Sequence, residues 1–403
     1  MHNSEVTRPA IGTAEARPVN AMALTLALGL AVSAVMGVGL AVSARQASLM
    51  LVGLLAGVTL YHAAFGFTTA FRLFAVEGRG AGVRAQMLML GLTALVFIPL
   101  IGAGQPVLGQ SLRGAVAPLG VALLIGAFLF GVGMQLGGGC ASGTLYSAGG
   151  GNVRMGVTLA GFIAGSLIGT AHAPWWERVP SMPGVSMIAT TGIVGALAIT
   201  AFLLGGVVLA SRAIERRRHG DLIDDQWRRT HGRRWWLQGP WPLVLGAVGL
   251  ALVNIATLVI AGRPWGVTGA FALWGAKAAL ALGVDVAAWP FWQAPARAAT
   301  LAAPVVADVT SVMNVGIIMG AWIAAALAGR FAPGWRTPLP SLAAAVIGGL
   351  LLGYGARLAS GCNIGAYFSG VASASLHGYV WFLAALGGTV VGARLRPLFG
   401  LGV

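Results

Sequence analysis

Long apolar runs, nearly free of charge, recur along this chain from residue 21 to residue 395. A helix needs about 20 apolar residues to cross a hydrocarbon core of roughly 30 Å, and these runs have that length. The composition agrees, because 57% of the residues are hydrophobic, 9% are charged and the mean hydropathy is +0.84. A soluble domain has too little interior to bury so many apolar runs. The sequence therefore predicts an all-α polytopic membrane protein with about nine crossings.

A basic segment, residues 211–240, divides the chain into two apolar halves. It carries eight arginines and four acidic residues, and the positive-inside rule predicts that it is cytoplasmic. The halves are residues 21–210 and residues 241–403, and the polar residues 1–20 are predicted to be a disordered tail. A net charge of +15 is also typical of nucleic-acid-binding proteins. Because the arginines lie in connections without interleaved aromatic residues, we expect a lipid bilayer and no nucleic acid as partner.

Two short stretches hold the chain's two cysteines in matching frames of glycines. Residues 131–143 read GVGMQLGGGCASG, and residues 353–365 read GYGARLASGCNIG. A shift of 222 positions superposes Cys140 on Cys362 and Gly139 on Gly361, and glycines also match on both sides of the loops. We interpret this pattern as an internal repeat of a helix, a loop and a second helix, which predicts two pseudo-symmetric halves.

Both stretches break a helix within an apolar region. A break in lipid is tolerated only where the freed backbone groups face protein or water, so we predict sheltered, re-entrant helices that meet near the bilayer centre. Each cysteine then lies at a helix N-terminus, which attracts anions, and secondary transporters commonly bind substrates at such breaks. The predicted substrate path includes Cys140, Cys362, Gly139 and Gly361, and the predicted supporting residues are Gly137, Gly138, Ser142, Gly143, Ser360, Asn363 and Gly365.

Two further positions are assigned to the predicted path. Gly66 lies beside Thr68 and Thr69 in the apolar run of residues 48–72, and it indicates a broken helix or a loop that enters the bilayer. Lys277 lies in a glycine-weakened apolar segment, where a charge is costly enough to indicate function. A lysine that snorkels to the interface explains Lys277 equally well.

Packing and catalysis are the alternatives to transport for the two cysteines. Cysteine and other small residues pack membrane helices tightly, but two cysteines held in register by a repeat favour a functional role. A membrane sulfurtransferase would use Cys140 or Cys362 as a persulfide carrier and would need a nearby base, yet none of the six histidines lies within the cysteine stretches. The sequence contains no nucleotide-binding fingerprint or metal-ligand motif. We therefore predict a transporter, not an enzyme, without a cofactor or metal.

Three groups of motifs carry a resemblance to a known family. GVGMQLGGGCASGTLYSAGGGN, RPWGVTGAF with WGAK, and GARLASGCNIGAYFSGVASASLHGYVWFLAALGG resemble the repeated sulfur-transport motifs of the YeeE/YedE family of bacterial inner-membrane proteins, which includes thiosulfate uptake transporters. The resemblance covers residues 51–394. It implies an hourglass-shaped fold whose central cysteines pass a sulfur-containing anion along a narrow path, and Cys140 and Cys362 match two of these cysteines.

The resemblance also implies a substrate and identifies one departure from the family pattern. The thiosulfate transporters of the family carry an earlier cysteine in a pattern similar to RFCFASAFR, and the matching AFGFTTAFR places Gly66 at that position. The implied function is thiosulfate uptake across the inner membrane, and another sulfur or selenium species is the alternative substrate. A cytoplasmic sulfurtransferase is a partner that fits this function.

Overall fold

The computed structural model describes residues 18–222, 235–334 and 336–402. These residues are predominantly helical, and the α-helices are α1 (Ala21–Ala41), α2 (Ala44–Ala63), α3 (Phe67–Arg72), α4 (Ala81–Ala103), α5 (Val121–Gly137), α6 (Ala141–Gly149), α7 (Val153–Ala171), α8 (Ala173–Trp176), α9 (Met187–His219), α10 (Trp235–Gln238), α11 (Leu243–Ala261), α12 (Thr268–Ala281), α13 (Pro290–Gln293), α14 (Pro295–Ala302), α15 (Val309–Leu327), α16 (Leu339–Leu358), α17 (Ser369–Ala372) and α18 (Leu376–Leu395).

Shorter elements connect these helices. One π-helical turn, Leu73–Glu77, follows α3, and another, Asn363–Phe368, precedes α17. Turns of 3-10 helix lie at Val286–Ala288, Val305–Ala307 and Arg396–Phe399. Two-residue strands β1 (Leu119–Gly120) and β2 (Ser181–Met182) pair antiparallel, with Leu119 opposite Met182. The predicted N-terminal tail, as far as residue 17, lies outside the described residues, as do residues 223–234 of the basic segment.

Ten helical segments in the described parts of the chain are long and apolar enough to cross a membrane, where the sequence predicted about nine. They are Ala21–Ala41, Ala44–Ala63, Ala81–Ala103, Val121–Gly149, Val153–Ala171, Met187–His219, Leu243–Ala261, Val309–Leu327, Leu339–Ala372 and Leu376–Phe399. The predicted helical, multi-pass architecture is confirmed. The segments Val121–Gly149 and Leu339–Ala372 each contain a helix break beside a cysteine.

Polar caps and glycines explain where several of these helices begin and end. Asn20 Oδ1 accepts a hydrogen bond from Ala23 N at 3.1 Å, and Ser43 Oγ accepts one from Gln46 N at 3.2 Å. A capping oxygen satisfies one of the amides that a helix leaves unpaired at its start. At the other end, α5 stops at Gly138, which has a φ of 86° that favours glycine.

The first part of the basic segment is helical, because α9 continues as far as His219. The helix is interrupted at Gly192, where φ is 69°. Glu215 lies in the extension, and its buried carboxylate pairs with Arg84 Nη1 at 2.6 Å and accepts a hydrogen bond from Gly80 N at 3.2 Å. This pairing ties the end of α9 to the start of α4, so residues 211–219 continue the helix where the sequence predicted a loop.

Close helix packing surrounds α16, which lies along both α5 and α7, while α18 lies along α5 and α15 along α2. Small residues let membrane helices approach closely. A Cβ at Gly349 would collide with the Thr158 carbonyl oxygen of α7, and one at Gly348 would collide with the backbone of Gly137 in α5. Gly126, near the start of α5, contacts Leu358 at the end of α16, while Gly137, at the end of α5, contacts Gly348 in the middle of α16. The two helices therefore run antiparallel.

Candidate functional site

The first helix break lies between α5 and α6. Cys140 is 2% exposed and is the N-cap of α6, since its Sγ accepts a hydrogen bond from Gly143 N at 3.4 Å. The Ser142 hydroxyl lies 3.5 Å from the same sulfur, and Thr144 Oγ1 donates to the Cys140 carbonyl at 2.8 Å. The predicted position of this cysteine at a helix N-terminus is confirmed.

Two arginines cover the carbonyl end of α5, just before this break. Arg154 Nη1 donates to the Gly137 carbonyl at 2.7 Å, and its Nη2 donates to the Leu136 carbonyl at 2.6 Å. Arg396 Nη1 donates to the Gln135 carbonyl at 2.7 Å. The C-terminal carbonyls of a helix carry partial negative charge, which these guanidinium groups neutralise. The sequence analysis did not identify this contact, because it joins residues on α5, α7 and the turn after α18.

The second helix break lies after α16 and differs from the first. Ser360 has a φ of 58° and Gly361 a φ of 143°, and a π-helical turn, Asn363–Phe368, follows Cys362. Cys362 is fully buried, and its side chain makes no cap hydrogen bond. The matching glycine frames therefore produce an α-helix after Cys140 and a π-helical turn after Cys362.

The two breaks lie close together in the fold. Both cysteines lie in the main hydrophobic core, and α6, which follows Cys140, contacts the π-helical turn that follows Cys362. Both cysteines are free thiols. The structure therefore brings together two stretches that are separated by 222 positions in the sequence.

The Gly66 stretch packs against both cysteine stretches. Gly66 is the N-cap of α3, which confirms the break predicted in this run. The rings of Phe67 and Phe71 make edge contacts with the Tyr367 ring of the π-helical turn, at centroid distances of 6.4 Å and 6.0 Å. The Thr68 carbonyl accepts a hydrogen bond from Gln135 Nε2 of α5 at 3.2 Å.

Lys277 lies on α12, away from these contacts. It is half-buried, and no hydrogen bond or ion pair joins its side chain to another described residue. Thr268, at the start of the same helix, contacts Arg357 near the second break. Lys277 lies nine residues further along α12, about 14 Å along the helix axis. Its place in the substrate path stays a prediction.

Arg357 is a candidate site residue that the sequence analysis did not identify. It lies in the last turn of α16, where its Nη2 donates to Thr268 Oγ1 at 3.1 Å and its buried Nε has no hydrogen-bond partner among the described residues. It lies five residues before Cys362, at the end of the helix that leads to the second break. An arginine inside an apolar run, in the letters GARLASGC, is the signal that could have identified it.

Several buried polar atoms near the two breaks have no hydrogen-bond partner among the described residues. They are Asn363 Nδ2 and Oδ1, Gln135 Oε1, Thr68 Oγ1 and Tyr367 Oη. Buried polar groups in folded proteins are normally hydrogen-bonded, and each exception calls for an explanation. Their grouping around the breaks is typical of a place that receives a polar ligand.

Ten candidate spans and two cysteine-bearing helix breaks that contact each other define a multi-pass helical membrane protein whose helices are interrupted in its interior. Residues 62–391 match the sequence model of the family described as "Sulphur transport". This match covers most of the chain, and the protein belongs to this family. The resemblance noted in the sequence is thereby confirmed, together with the assignment to a class of transporters.

Three relatives show how far the similarity extends. The "Probable transporter YedE" of Salmonella typhimurium is 30% identical over 175 residues, which cover 43% of this chain and 43% of that protein. Its namesake from Escherichia coli is 29% identical over 170 residues, which cover 42% of this chain and 41% of that protein. The chain thus matches less than half the length of both. The "Thiosulfate transporter TsuA" of Spirochaeta thermophila is 27% identical over 362 residues, which cover 82% of this chain and 93% of that protein.

Proposed function

We propose that this protein takes up a sulfur-containing oxyanion, with thiosulfate as the first candidate, across the bacterial inner membrane. The observation that carries this proposal is the contact between the two helix breaks, where α6, which follows Cys140, lies against the π-helical turn that follows Cys362. A relative that aligns over most of the chain is named a thiosulfate transporter, which supports this choice of substrate. The path runs past Cys140, Gly139, Cys362 and Gly361.

The electrostatics around Cys140 favour an anion. The N-terminus of α6 presents partial positive charge beside the thiol. The C-terminal carbonyls of α5 would repel an anion at the same place, but Arg154 and Arg396 occupy them. A neutral thiol adds a polarisable sulfur and a weak S–H donor without adding negative charge. The site therefore attracts an anion and offers a soft contact to its sulfur atom.

The two halves of the path form an inverted repeat in this proposal. One unit consists of α5, α6 and α7, and the other of α16, the π-helical turn with α17, and α18. The antiparallel packing of α5 against α16 supports this arrangement, as does the constant offset of 222 positions. Gly66 and Lys277 also contribute to the path, and the breaks lie near the centre of the bilayer, where transporters with inverted repeats bind their substrates.

On the cytoplasmic side, the transported ion passes to a protein that uses its sulfur. We propose a cytoplasmic sulfurtransferase as the acceptor, because imported thiosulfate is a sulfur donor. A selenium analogue of similar size and charge is the alternative substrate on the same path. Persulfide chemistry on Cys140 or Cys362 is the enzymatic alternative, and it predicts a sulfur-modified cysteine after exposure of the purified protein to thiosulfate.

Uptake of radiolabelled thiosulfate into cells without their own sulfur-anion transporters tests the proposal. Cells that express the protein should accumulate label, and cells with an empty vector or with Cys140→Ala, Cys362→Ala at equal abundance should not. Sulfate and selenite, tested in parallel, identify the preferred substrate. Equal uptake of every labelled anion by the wild-type and vector cells would contradict the proposed function.

A further inference from the structure

A positive charge beside Cys362 has no acidic partner in the described parts of the chain. The ion pairs found there join Arg84 to Glu215 and Arg263 to Asp308, and neither involves Arg357. Arg357 instead contacts the neutral hydroxyl of Thr268. A charge inside a membrane protein is costly unless a counter-charge compensates it. The position of Arg357 therefore suits a mobile anion.

The side chain of Arg357 is held in place by its packing. Its Cγ and Cβ lie against Gly169 of α7, where an added Cβ would come within 2.7 Å and 2.8 Å of them. Its Nη2 is fixed by the hydrogen bond to Thr268 Oγ1. The aliphatic stem thus packs against α7 and the guanidinium is bonded to α12. The Nε of the same guanidinium has no hydrogen-bond partner in the described structure. A guanidinium held in this way is preorganised for binding, since little freedom remains to be lost.

Asn363, directly after Cys362, is a second buried group that lacks partners. It is 0% exposed, and neither Nδ2 nor Oδ1 has a hydrogen-bond partner among the described residues. Asn254 is equally buried but fully bonded, because its Oδ1 accepts from Trp265 N at 2.8 Å and its Nδ2 donates to Ser369 Oγ at 3.2 Å. Asn314 is intermediate, because its Nδ2 donates to the Val267 carbonyl at 2.9 Å while its Oδ1 has no partner among the described residues, whereas Asn363 lacks partners at both amide atoms. Asn363 therefore calls for a ligand with oxygen acceptors.

We propose that Arg357 and Asn363 form an oxygen-recognition subsite beside Cys362, an inference that rests on the proposed function. Guanidinium and amide N–H groups are strong donors to anionic oxygens, whereas a thiol is a weak donor suited to sulfur. The subsite binds the oxygen-bearing end of the anion, and Cys362 contacts its sulfur end. The site thus selects a sulfur oxyanion and rejects hydrosulfide, which has no oxygen.

The subsite lies on the outer side of the second break. α11 starts near the basic segment, and its 19 residues end at Ala261, before the connection to Thr268. The connection folds back along α11, because Trp265 N donates to Asn254 Oδ1, so the side is given by α5 instead. Gly126, near the start of α5, lies against Leu358, and α5 follows the end of α4 that is remote from Glu215 and the basic segment, so Arg357 lies on that side. If that segment is cytoplasmic, as the sequence predicts, the subsite meets the anion from outside before Cys362.

Direct binding of labelled thiosulfate to the purified full-length protein tests the subsite. We expect Arg357→Gln to weaken binding about 10- to 100-fold, because it removes a charged donor, and Arg357→Lys to weaken it less. Asn363→Ala should weaken binding about tenfold, and Asn363→Asp more, since a carboxylate repels the anion. Arg263→Gln is the matched control, because it removes one positive charge near the same end of α11 and should change binding by about twofold or less.

Competition separates oxygen recognition from simple charge attraction. Unlabelled sulfite should displace thiosulfate from the wild-type protein and lose this ability with Arg357→Gln, while hydrosulfide should compete poorly with both proteins. Wild-type affinity in both Arg357→Lys and Asn363→Ala, or hydrosulfide competition equal to that of sulfite, would overturn the subsite and leave transport intact. Absence of any sulfur-anion uptake by the wild-type protein would overturn the proposed function and the subsite together. If Arg357→Gln fails to fold, Arg357→Lys and Asn363→Ala decide the matter.

Discussion

Arg154 of α7 holds the end of the helix that leads to Cys140, with its Nη1 donating to the Gly137 carbonyl at 2.7 Å. The same guanidinium also donates through Nη2 to the Leu136 carbonyl and through Nε to Ser341 Oγ at 2.8 Å. One side chain thus joins α5, α7 and the start of α16. It fixes the point at which α5 ends and the cysteine loop begins, and it neutralises the partial negative charge at the C-terminus of that helix.

Replacing Arg154 should therefore destabilise the protein. Arg154→Met keeps an apolar stem but leaves the Gly137 and Leu136 carbonyls without these donors, at a cost of about 2–3 kcal/mol. We expect the apparent Tm of the detergent-solubilised protein to fall by about 5 °C. Arg178→Met, at an exposed arginine, is the control and should leave Tm unchanged. An unchanged Tm in Arg154→Met would mean that other donors or water satisfy these carbonyls.

The two cysteines should each be required for transport but not for folding. Cys140→Ala or Cys362→Ala should sharply reduce thiosulfate uptake, because the proposed path passes both thiols in series. Each change removes one small buried side-chain atom, at a stability cost on the order of 1 kcal/mol, so membrane abundance should hold. Cys140→Ser keeps an oxygen that can cap α6, and it separates the capping role from a need for polarisable sulfur. Full uptake by the double alanine variant would contradict the role of the thiols.

A thiol should be tolerated at Gly66 and should increase transport. Gly66 has a φ of −97°, and an added Cβ would come no closer than 3.5 Å to its nearest neighbour, Thr69 Oγ1. A cysteine therefore fits without a change in the backbone. We expect Gly66→Cys to raise the thiosulfate uptake rate by up to about fivefold, since one added contact contributes about 1 kcal/mol. Gly66→Ala is the matched control for size. If Ala and Cys behave alike, the thiol itself has no effect.

The contribution of Lys277 should be smaller than that of Arg357. Lys277 is half-buried and lies about 14 Å along α12 from the residue that contacts Arg357, so a role in the proposed path would require it to act on the anion at long range. Lys277→Met is expected to raise the apparent KM for thiosulfate by about threefold at most, because a charge at this distance is strongly screened. Lys277→Gln separates loss of charge from loss of polarity. Wild-type uptake kinetics in both variants would support snorkelling as the role of Lys277.

The basic segment should face the cytoplasm, as the positive-inside rule predicts. A fluorescent protein inserted after Asp221 should fluoresce, and alkaline phosphatase at the same place should be inactive. Gly109 provides the control, because it follows the far end of α4. The start of α4 lies beside the end of α9, where Gly80 N donates to the Glu215 carboxylate. The 23 residues of α4 extend about 34 Å, so a phosphatase inserted at Gly109 should lie on the outer side and be active. The reverse pattern would invert the assigned orientation.

The helix breaks and the membrane class could be predicted from the sequence because both depend on local properties. Apolar runs of a given length identify spans regardless of their neighbours, and glycines weaken a helix wherever they occur. The expected breaks at Gly66 and before Cys140 are therefore found where the sequence indicated them. The end of α9 was less predictable, because its extension to His219 is associated with the distant pairing of Glu215 with Arg84.

By itself, the sequence determined that the chain is a helical, multi-pass membrane protein with two matched cysteine stretches, and its motifs indicated the family. Only the tertiary structure decided which charges lie beside these stretches. Lys277 and Arg357 look alike in the sequence as single charges in apolar runs, yet Arg357 alone contacts Thr268 and lies at the end of the helix that leads to Cys362. Such contacts join residues far apart in the chain, so they depend on helix packing and not on any local pattern. The same reason explains why matched glycine frames end in an α-helix after Cys140 and a π-helical turn after Cys362.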